Sequence, residues 1–243
     1  MEGRQAVREL LLAGRRKVRE LWVATGDGER GPAEILALAA DLRVPVQEVS
    51  RKRLDSEARS EAPQGVLARA APLQETDLDD LVKRGRGPRG VPFIVLVDGV
   101  TDPGNLGAIL RSVDGAGGTG VVLPRHRAVH ITPTAAKAAA GAIEHIPIAV
   151  VSGLPTAIER IRKAGIWIVG LDDAAADSLF DLGDAATEPI GLVLGAEGAG
   201  LSRLVRERCD LLVHIPMRGR LSSLNVSAAA ALACYEITRR RQS

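Results

Sequence analysis

Phe93-Ile94-Val95-Leu96-Val97-Asp98-Gly99-Val100-Thr101-Asp102-Pro103-Gly104-Asn105-Leu106-Gly107 reads as strand, turn and helix in succession. The apolar run that opens it fits a strand buried on both faces; a half-exposed strand would alternate. Asp-Pro-Gly-Asn is a strong turn signal, and Asn105 suits a helix cap. The helix expected next, Leu106 to Ala116, carries Arg111 and Ser112. A doubly buried strand followed by a helix is the unit of a parallel α/β sheet.

The pattern continues towards the C-terminus. Gly120–Leu123, Ile166–Val169, Ile190–Leu194 and Leu211–Ile215 are further apolar runs. Helical stretches are expected over Pro133–Ala142, Leu154–Lys163, Ser202–Arg208 and Val226–Arg240. Ala228–Ala231 favours helix and leaves a thin side against which another backbone packs closely.

Upstream lies a smaller α/β unit. Ala6, Val7, Leu10 and Leu11 recur at helical spacing, and Ile35–Ala40 suits a second helix. Val18 with Leu21–Val23, Val44–Val49 and Val66–Ala68 read as strands. Between the two units, Leu78, Leu81 and Val82 fit a short helix, and Lys83-Arg84-Gly85-Arg86-Gly87-Pro88-Arg89-Gly90 reads as a mobile linker. The expected organisation is a first domain over 1–72, a linker over 73–91 and a second domain over 92–243.

With 243 residues, 46% hydrophobic and 26% charged, the chain has globular composition. The net charge of +2 says little about a nucleic-acid partner, so local clusters matter more. They are Arg15, Arg16, Lys17 and Arg19; Arg51, Lys52 and Arg53; and Lys83, Arg84, Arg86 and Arg89. Each reads equally well as a solvated face. Aromatic residues at 2% argue against a stacking platform as the sole function. Cys209 and Cys234 lack metal or disulfide spacing, and His126 and His130 lack a third ligand, so no metal is expected. The opening Met-Glu-Gly-Arg-Gln holds no apolar signal segment, and the alanine runs are too short to span a bilayer. A cytoplasmic protein with no membrane partner is expected.

Ligands of open α/β sheets bind at the carboxyl ends of the strands. Three such ends are rich in glycine and polar residues. The first holds Asn105 and, further along its helix, Arg111, which ideal spacing turns roughly 120° away. The second is Leu194-Gly195-Ala196-Glu197-Gly198-Ala199-Gly200, which matches neither the dinucleotide fingerprint nor the phosphate loop. The third runs Ile215-Pro216-Met217 to Ser223-Leu224-Asn225-Val226-Ser227, where serine or asparagine suits a helix cap.

Together these loops resemble the three motifs of the SpoU branch of the SPOUT RNA methyltransferases, also called the TrmH family. The front of the chain, with Gly3-Arg4-Gln5-Ala6-Val7 and Glu9-Leu10-Leu11, resembles the substrate-binding domain of the bacterial members that methylate a guanosine ribose in 23S rRNA. Pro63-Gln64-Gly65 stands where that domain usually reads His-Gln-Gly. The resemblance implies an α/β fold: a mostly parallel C-terminal domain with a deep trefoil knot, behind a small ribosomal-protein-like RNA-binding domain. It implies S-adenosylmethionine as cofactor, a homodimer with active sites at the subunit interface, and 23S rRNA or pre-ribosomal RNA as partner. Asn105, Arg111, Glu197, Ser223 and Asn225 match the family's catalytic positions, and Gly195, Ile215, Met217 and Leu224 its cofactor contacts. The implied reaction moves a methyl group from a sulfonium to a ribose 2′-hydroxyl. A guanidinium is a poor base, so Arg111 reads as a phosphate clamp and a stabiliser of alkoxide charge. Rival readings are the same chemistry on tRNA or another rRNA site, an inactive RNA-binding protein, and a small-molecule α/β enzyme.

Overall fold

The computed structural model describes residues 1–25, 32–60, 62–84, 90–126 and 128–242. Arg86 and Arg89, and with them most of the basic linker stretch, lie outside the described residues.

The N-terminal unit comprises α1 (Arg4–Ala13), β1 (Val18–Thr25), α2 (Ala33–Asp41), β2 (Val46–Ser50), α3 (Arg51–Glu57) and β3 (Val66–Ala70). Strand β1 is central, parallel to β2 and antiparallel to β3. Val7, Leu10 and Leu11 of α1 and Ile35 and Ala39 of α2 cover one sheet face. Leu54 of α3 packs with Trp22 and Leu67 on the other. The basic cluster at 51–53 hides this helix from a sequence reading, because Leu54 is its one buried residue. Ser50 caps it by accepting from the Arg53 amide at 3.3 Å. The guanidiniums of Arg53 and Arg69 lie 5.1 and 4.7 Å from the centre of the Trp22 ring, so part of that cluster serves packing.

The Pro63-Gln64-Gly65 turn clasps the start of α1. The Arg4 amide donates to Gln64 Oε1 at 3.0 Å, and the Arg4 side chain donates to the Gln64 carbonyl at 3.3 Å. An orphan amide of the helix start is thereby satisfied.

The second unit comprises α4 (Leu78–Lys83), β4 (Phe93–Val97), α5 (Pro103–Gly115), β5 (Gly120–Pro124), α6 (Pro133–Ala138), β6 (Ile148–Val151), α7 (Leu154–Lys163), β7 (Trp167–Leu171), β8 (Asp177–Ser178), β9 (Ile190–Leu194), α8 (Arg203–Arg206), β10 (Leu211–His214) and α9 (Val226–Gln242). The strands run in the order β6-β5-β4-β9-β7-β10-β8, and every recorded pair is parallel. Strands β6 and β8 lie at the two edges and went unread in the sequence: one is four residues long and the other two. Among the described residues no helix is long and apolar enough to cross a membrane.

Helix α4 falls inside the stretch read as a linker, yet Leu78, Leu81 and Val82 are buried in the core beneath β5 and α7. Apolar residues at i, i+3 and i+4 give the helix a single face, and the sheet takes it. Helix α6 ends at Ala138, short of the expected Ala142. Ala140 and Gly141 there adopt left-handed angles, φ 50° and 94°, before a 3-10 turn over Ala142–Glu144. A Cβ on Gly141 would stand 2.3 Å from the Cβ of Glu9, so α1 presses directly on this turn.

That contact joins the two units. Glu144 is fully buried and pairs with Arg16, whose Nε donates at 2.9 Å. Arg16 also donates to the Ala71 carbonyl at 3.0 Å, and Arg15 donates to the His145 carbonyl at 3.0 Å. Half of the first basic cluster is therefore structural. Removing one member of a buried pair strands the other charge, at a cost of about 3–5 kcal/mol. Arg16→Met is expected to lower stability by that order, and Arg16→Met with Glu144→Met by clearly less, as read by denaturant unfolding of the full chain. Equal losses in both would show that the pair contributes no specific coupling.

Candidate active site at the carboxyl ends of β4 and β9

Strand β4 meets β5 on one side and β9 on the other. The chain reverses its order there, and such a switch point opens a crevice beyond the strand ends. Both strands are buried along their whole length. The Asp98 amide donates to the Leu194 carbonyl at 2.7 Å, holding the two loop origins together. The Asp98 carboxylate accepts from the Ser202 amide at 2.7 Å, which fixes the far end of the glycine-rich loop.

Helix α5 starts differently from the sequence expectation. Its cap is Asp102, which accepts from the Asn105 amide at 2.7 Å; Pro103 takes the first helical position. Asn105 sits in the first turn, and its side chain is free for another task. It donates to Glu197 Oε1 at 3.1 Å. Asn225 donates to the same oxygen at 2.6 Å and to Asn105 Oδ1 at 3.0 Å. Its own Oδ1 accepts from the Ser227 amide at 2.9 Å and the Ser227 hydroxyl at 2.6 Å. Asn225 therefore acts both as the start signal of α9 and as a member of the cluster.

The glycine-rich loop is a tight closure. Ala196 and Gly200 exchange backbone hydrogen bonds at 3.0 and 2.9 Å. A Cβ on Gly195 would lie 2.3 Å from the Gly200 carbonyl carbon and 2.5 Å from the Leu201 nitrogen. Gly198 and Gly200 hold φ at 73° and 63°. In the third loop Ile215 packs against the main core, Met217 is half-buried, and Leu224 and Ser223 are exposed.

The structure thus brings Asn105, Glu197 and Asn225 into contact, with Gly195 at the foot of the same loop. It leaves Ser223 on the exposed rim. Arg111 faces away, as its 120° offset requires, into a separate cavity of about 320 Å³ lined also by Gln5, Glu9, Asp114 and His145. Sequence reasoning missed Asp98, Asp102 and Ser227. An acidic residue ending a buried strand was the available signal for the first, and Asp-Pro at a helix start for the second.

Cys209 and Cys234 are both free, and burial pushes both thiols up to about 12, which removes them as nucleophiles. Among the described residues no group of three or more His, Cys, Asp or Glu gathers as a metal site would need.

Residues 92–235 match the SpoU rRNA Methylase family, and residues 1–76 match the RNA 2′-O ribose methyltransferase substrate-binding family. The chain belongs to the SpoU rRNA methylase family. It is 41% identical over 239 residues to a Bacillus subtilis protein assigned to the TrmH family of tRNA/rRNA methyltransferases, covering 98% of this chain and 94% of that one. It is 40% identical over 243 residues to the 23S rRNA (guanosine-2′-O-)-methyltransferase RlmB of Pseudomonas putida, covering 99% and 96%. The crystal structure of the SpoU methyltransferase AviRb from Streptomyces viridochromogenes, in complex with the cofactor AdoMet, superposes with a TM-score of 0.80 at 29% identity, covering 100% of this chain and 90% of that one. The C-terminal unit is the family's knotted methyltransferase domain, behind a small RNA-binding domain. The loop after β10 crosses back to α9, which packs on α5 and is tied to its end by Thr238, donating to the Ala116 carbonyl at 2.7 Å.

Gly195→Ala is expected to force the loop open at a destabilisation of about 1–3 kcal/mol. At roughly 2–4 °C per kcal/mol for a chain of this size, thermal melts resolve it. Gly153→Ala is the control, since its Cβ would meet nothing closer than 4.0 Å. A Gly195→Ala protein that melts with the control would mean that the loop relaxes freely.

Proposed function

We propose that this SpoU-family enzyme, which is an S-adenosylmethionine-dependent RNA methyltransferase, methylates the ribose 2′-hydroxyl of a guanosine in 23S rRNA and works as a homodimer. The observation that carries the reading is the Asn105–Glu197–Asn225 cluster, which joins all three loops at the switch point. The substrate is supported by the Pseudomonas putida relative, similar along nearly its whole length.

The loops fit the cofactor. The close approach of Gly200 and Leu201 to Gly195 fixes the loop backbone beside the strand ends, and half-buried Met217 and Ile215 with exposed Leu224 provide an apolar wall for the adenosyl group. Bound there, S-adenosylmethionine supplies an electrophilic methyl group on a sulfonium. The chain's own work is to align the ribose oxygen with that methyl group and to steady the charge left as the hydroxyl loses its proton. Asn105, Glu197 and Asn225 hold the loops in register, and Ser223 lies on the rim where the ribose enters. Arg111, without a side-chain partner among the described residues, clamps the substrate phosphate with its planar fork. Residues 1–72 hold RNA and 92–243 carry the chemistry; the stretch between them connects the two and lends α4 to the second unit's core.

The dimer face is α9 with α5. Leu232 and Tyr235 are exposed, at 44% and 54%, on the outer side of α9. The Tyr235 hydroxyl reaches across to Gly115 of α5, where a Cβ would stand 2.8 Å from it. Exposed Arg111 lies one turn earlier on the same helix.

Mass-spectrometric mapping of ribose methylation in rRNA and tRNA, from cells with and without the gene, tests the substrate. Loss of methylation at one 23S guanosine is expected. A change confined to tRNA, the other substrate class in the name of the Bacillus subtilis relative, would overturn the rRNA reading. For Arg111, single-turnover methyl transfer at saturating RNA is expected to fall by roughly 10²–10³ in Arg111→Ala. Arg111→Lys keeps the charge, loses the bidentate fork and is expected to remain badly impaired. Cofactor affinity is expected to hold in both. Near-normal rates in Arg111→Ala would make the arginine structural.

A further inference from the structure

The cavity that Arg111 faces has two owners. Arg111 and Asp114 come from α5, His145 follows the 3-10 turn, and Gln5 and Glu9 come from α1 of the N-terminal unit. Its volume of about 320 Å³ leaves room for a purine. The wall is firmly made where the two units touch. Glu9 accepts from Gln5 Nε2 at 3.0 Å and Arg8 Nη1 at 2.7 Å, and pairs with His145 Nε2 at 2.9 Å. Its acceptor capacity is largely occupied.

Arg111 and Asp114 contrast with that wall. They stand three residues apart on one helix, carry opposite charge and border the same cavity. Neighbours at this spacing are within reach of each other. Yet neither side chain has a hydrogen bond or ion pair among the described residues, so the cavity presents one open carboxylate and one open guanidinium. The Asp114 carboxyl is held above its ordinary value, chiefly because it is partly buried; nearby Glu9 adds to this and His145 opposes it. Both side chains are exposed to solvent, so a ligand that brings donors to the carboxylate and an acceptor to the guanidinium engages both without breaking a protein contact.

We infer that this cavity receives the base of the target nucleotide, and that Asp114 reads it as guanine by accepting from N1–H and the N2 amino group. The inference rests on the RNA-guanosine reading above and names how that site selects its base. Bases in single-stranded or flipped-out nucleotides are read along their Watson–Crick edges. Guanine alone presents two adjacent donors there. Adenine and cytosine present a donor beside an acceptor, and uracil a single donor between two acceptors. A carboxylate therefore meets both its oxygens' needs with guanine and meets repulsion from a lone pair with the others. Arg111 then lies on the side of the base's own phosphate. Because α1 closes the cavity, the N-terminal unit also helps to shape the pocket for the reacting nucleotide. The tight seat of Glu9 on Gly141 keeps that wall in place.

The test uses the full chain with S-adenosylmethionine and 23S rRNA from cells lacking the gene. GMP, IMP and AMP serve as competitors of methyl transfer and as directly titrated ligands. Wild type is expected to bind GMP about tenfold more tightly than AMP, with IMP, which lacks the N2 amino group, in between. Asp114→Asn is expected to erase this order and raise the KM for rRNA about tenfold, while S-adenosylmethionine affinity and melting temperature stay unchanged. Asp114→Glu keeps the carboxylate and is expected to keep the preference for GMP, which separates loss of charge from loss of fold. Guanosine methylation by wild type with an unaltered KM and competitor order in Asp114→Asn would overturn this inference alone. Methylation by wild type at a base other than guanine would overturn it together with the proposed substrate.

Discussion

One carboxylate oxygen, Glu197 Oε1, accepts amide protons from Asn105 and Asn225, residues separated from it by 92 and 28 positions. Those amides belong to the first turn of α5 and the start of α9, and the oxygen belongs to the loop after β9. A charged acceptor strengthens each bond and fixes its direction. Three chain crossings are thereby held at the switch point of the sheet. The surrounding glycines make the arrangement possible, because Gly195 and Gly200 approach more closely than any side chain permits. Rigid strands below and a tied loop layer above are what a positioning mechanism needs, since a misplaced methyl acceptor forfeits most of the rate.

The basic residues divide by task in a way that net charge conceals. Arg16 is committed to Glu144, Arg15 to the His145 carbonyl, Arg53 to the Trp22 ring, and Arg51 to Asp55. Of clusters that look like an RNA footprint in the sequence, the first supplies two residues to the joint between the units and the second supports packing within the N-terminal unit. Arg111 lies outside these clusters, on α5. Its guanidinium and the Asp114 carboxylate border one cavity without pairing with each other or with another side chain among the described residues.

Much of the fold was legible because strands buried on both faces write themselves as unbroken apolar runs. Phe93–Val97 and Ile190–Leu194 are examples, and both form central strands. Edge strands carry a weaker signature, and β8, two residues long, has none. Helix α3 was hidden because its buried surface reduces to Leu54 among charges. Helix α6 stopped early for a reason no local pattern contains: the turn at Gly141 answers to Glu9, 132 residues away in the chain. In the site, residue types and order identified the family, but not who caps and who reaches. Asp102 took the capping role expected of Asn105, because Pro103 fixes the first helical position behind it. The knot lay beyond any sequence rule, since topology rules built on ordinary folds exclude threaded chains.

Helix α5 poses the remaining constraint. Its first turn holds Asn105 against Glu197, and two turns later Arg111 projects on a different side. A regular helix cannot turn both side chains towards one point, because six residues rotate them roughly 120° apart and separate them by about 9 Å along the axis. If both serve one methyl transfer, either α5 unwinds or the arginine comes from a second copy of the chain. Unwinding would disrupt Leu106, Ile109 and Leu110, all buried without exposure in the main core. In the proposed homodimer a second copy would leave α5 intact, would cover Leu232 and Tyr235, which α9 exposes, and a two-fold axis would make the contribution reciprocal. Given the roles that the family resemblance assigns to Asn105 and Arg111, the helix geometry of a single chain favours the proposed homodimer.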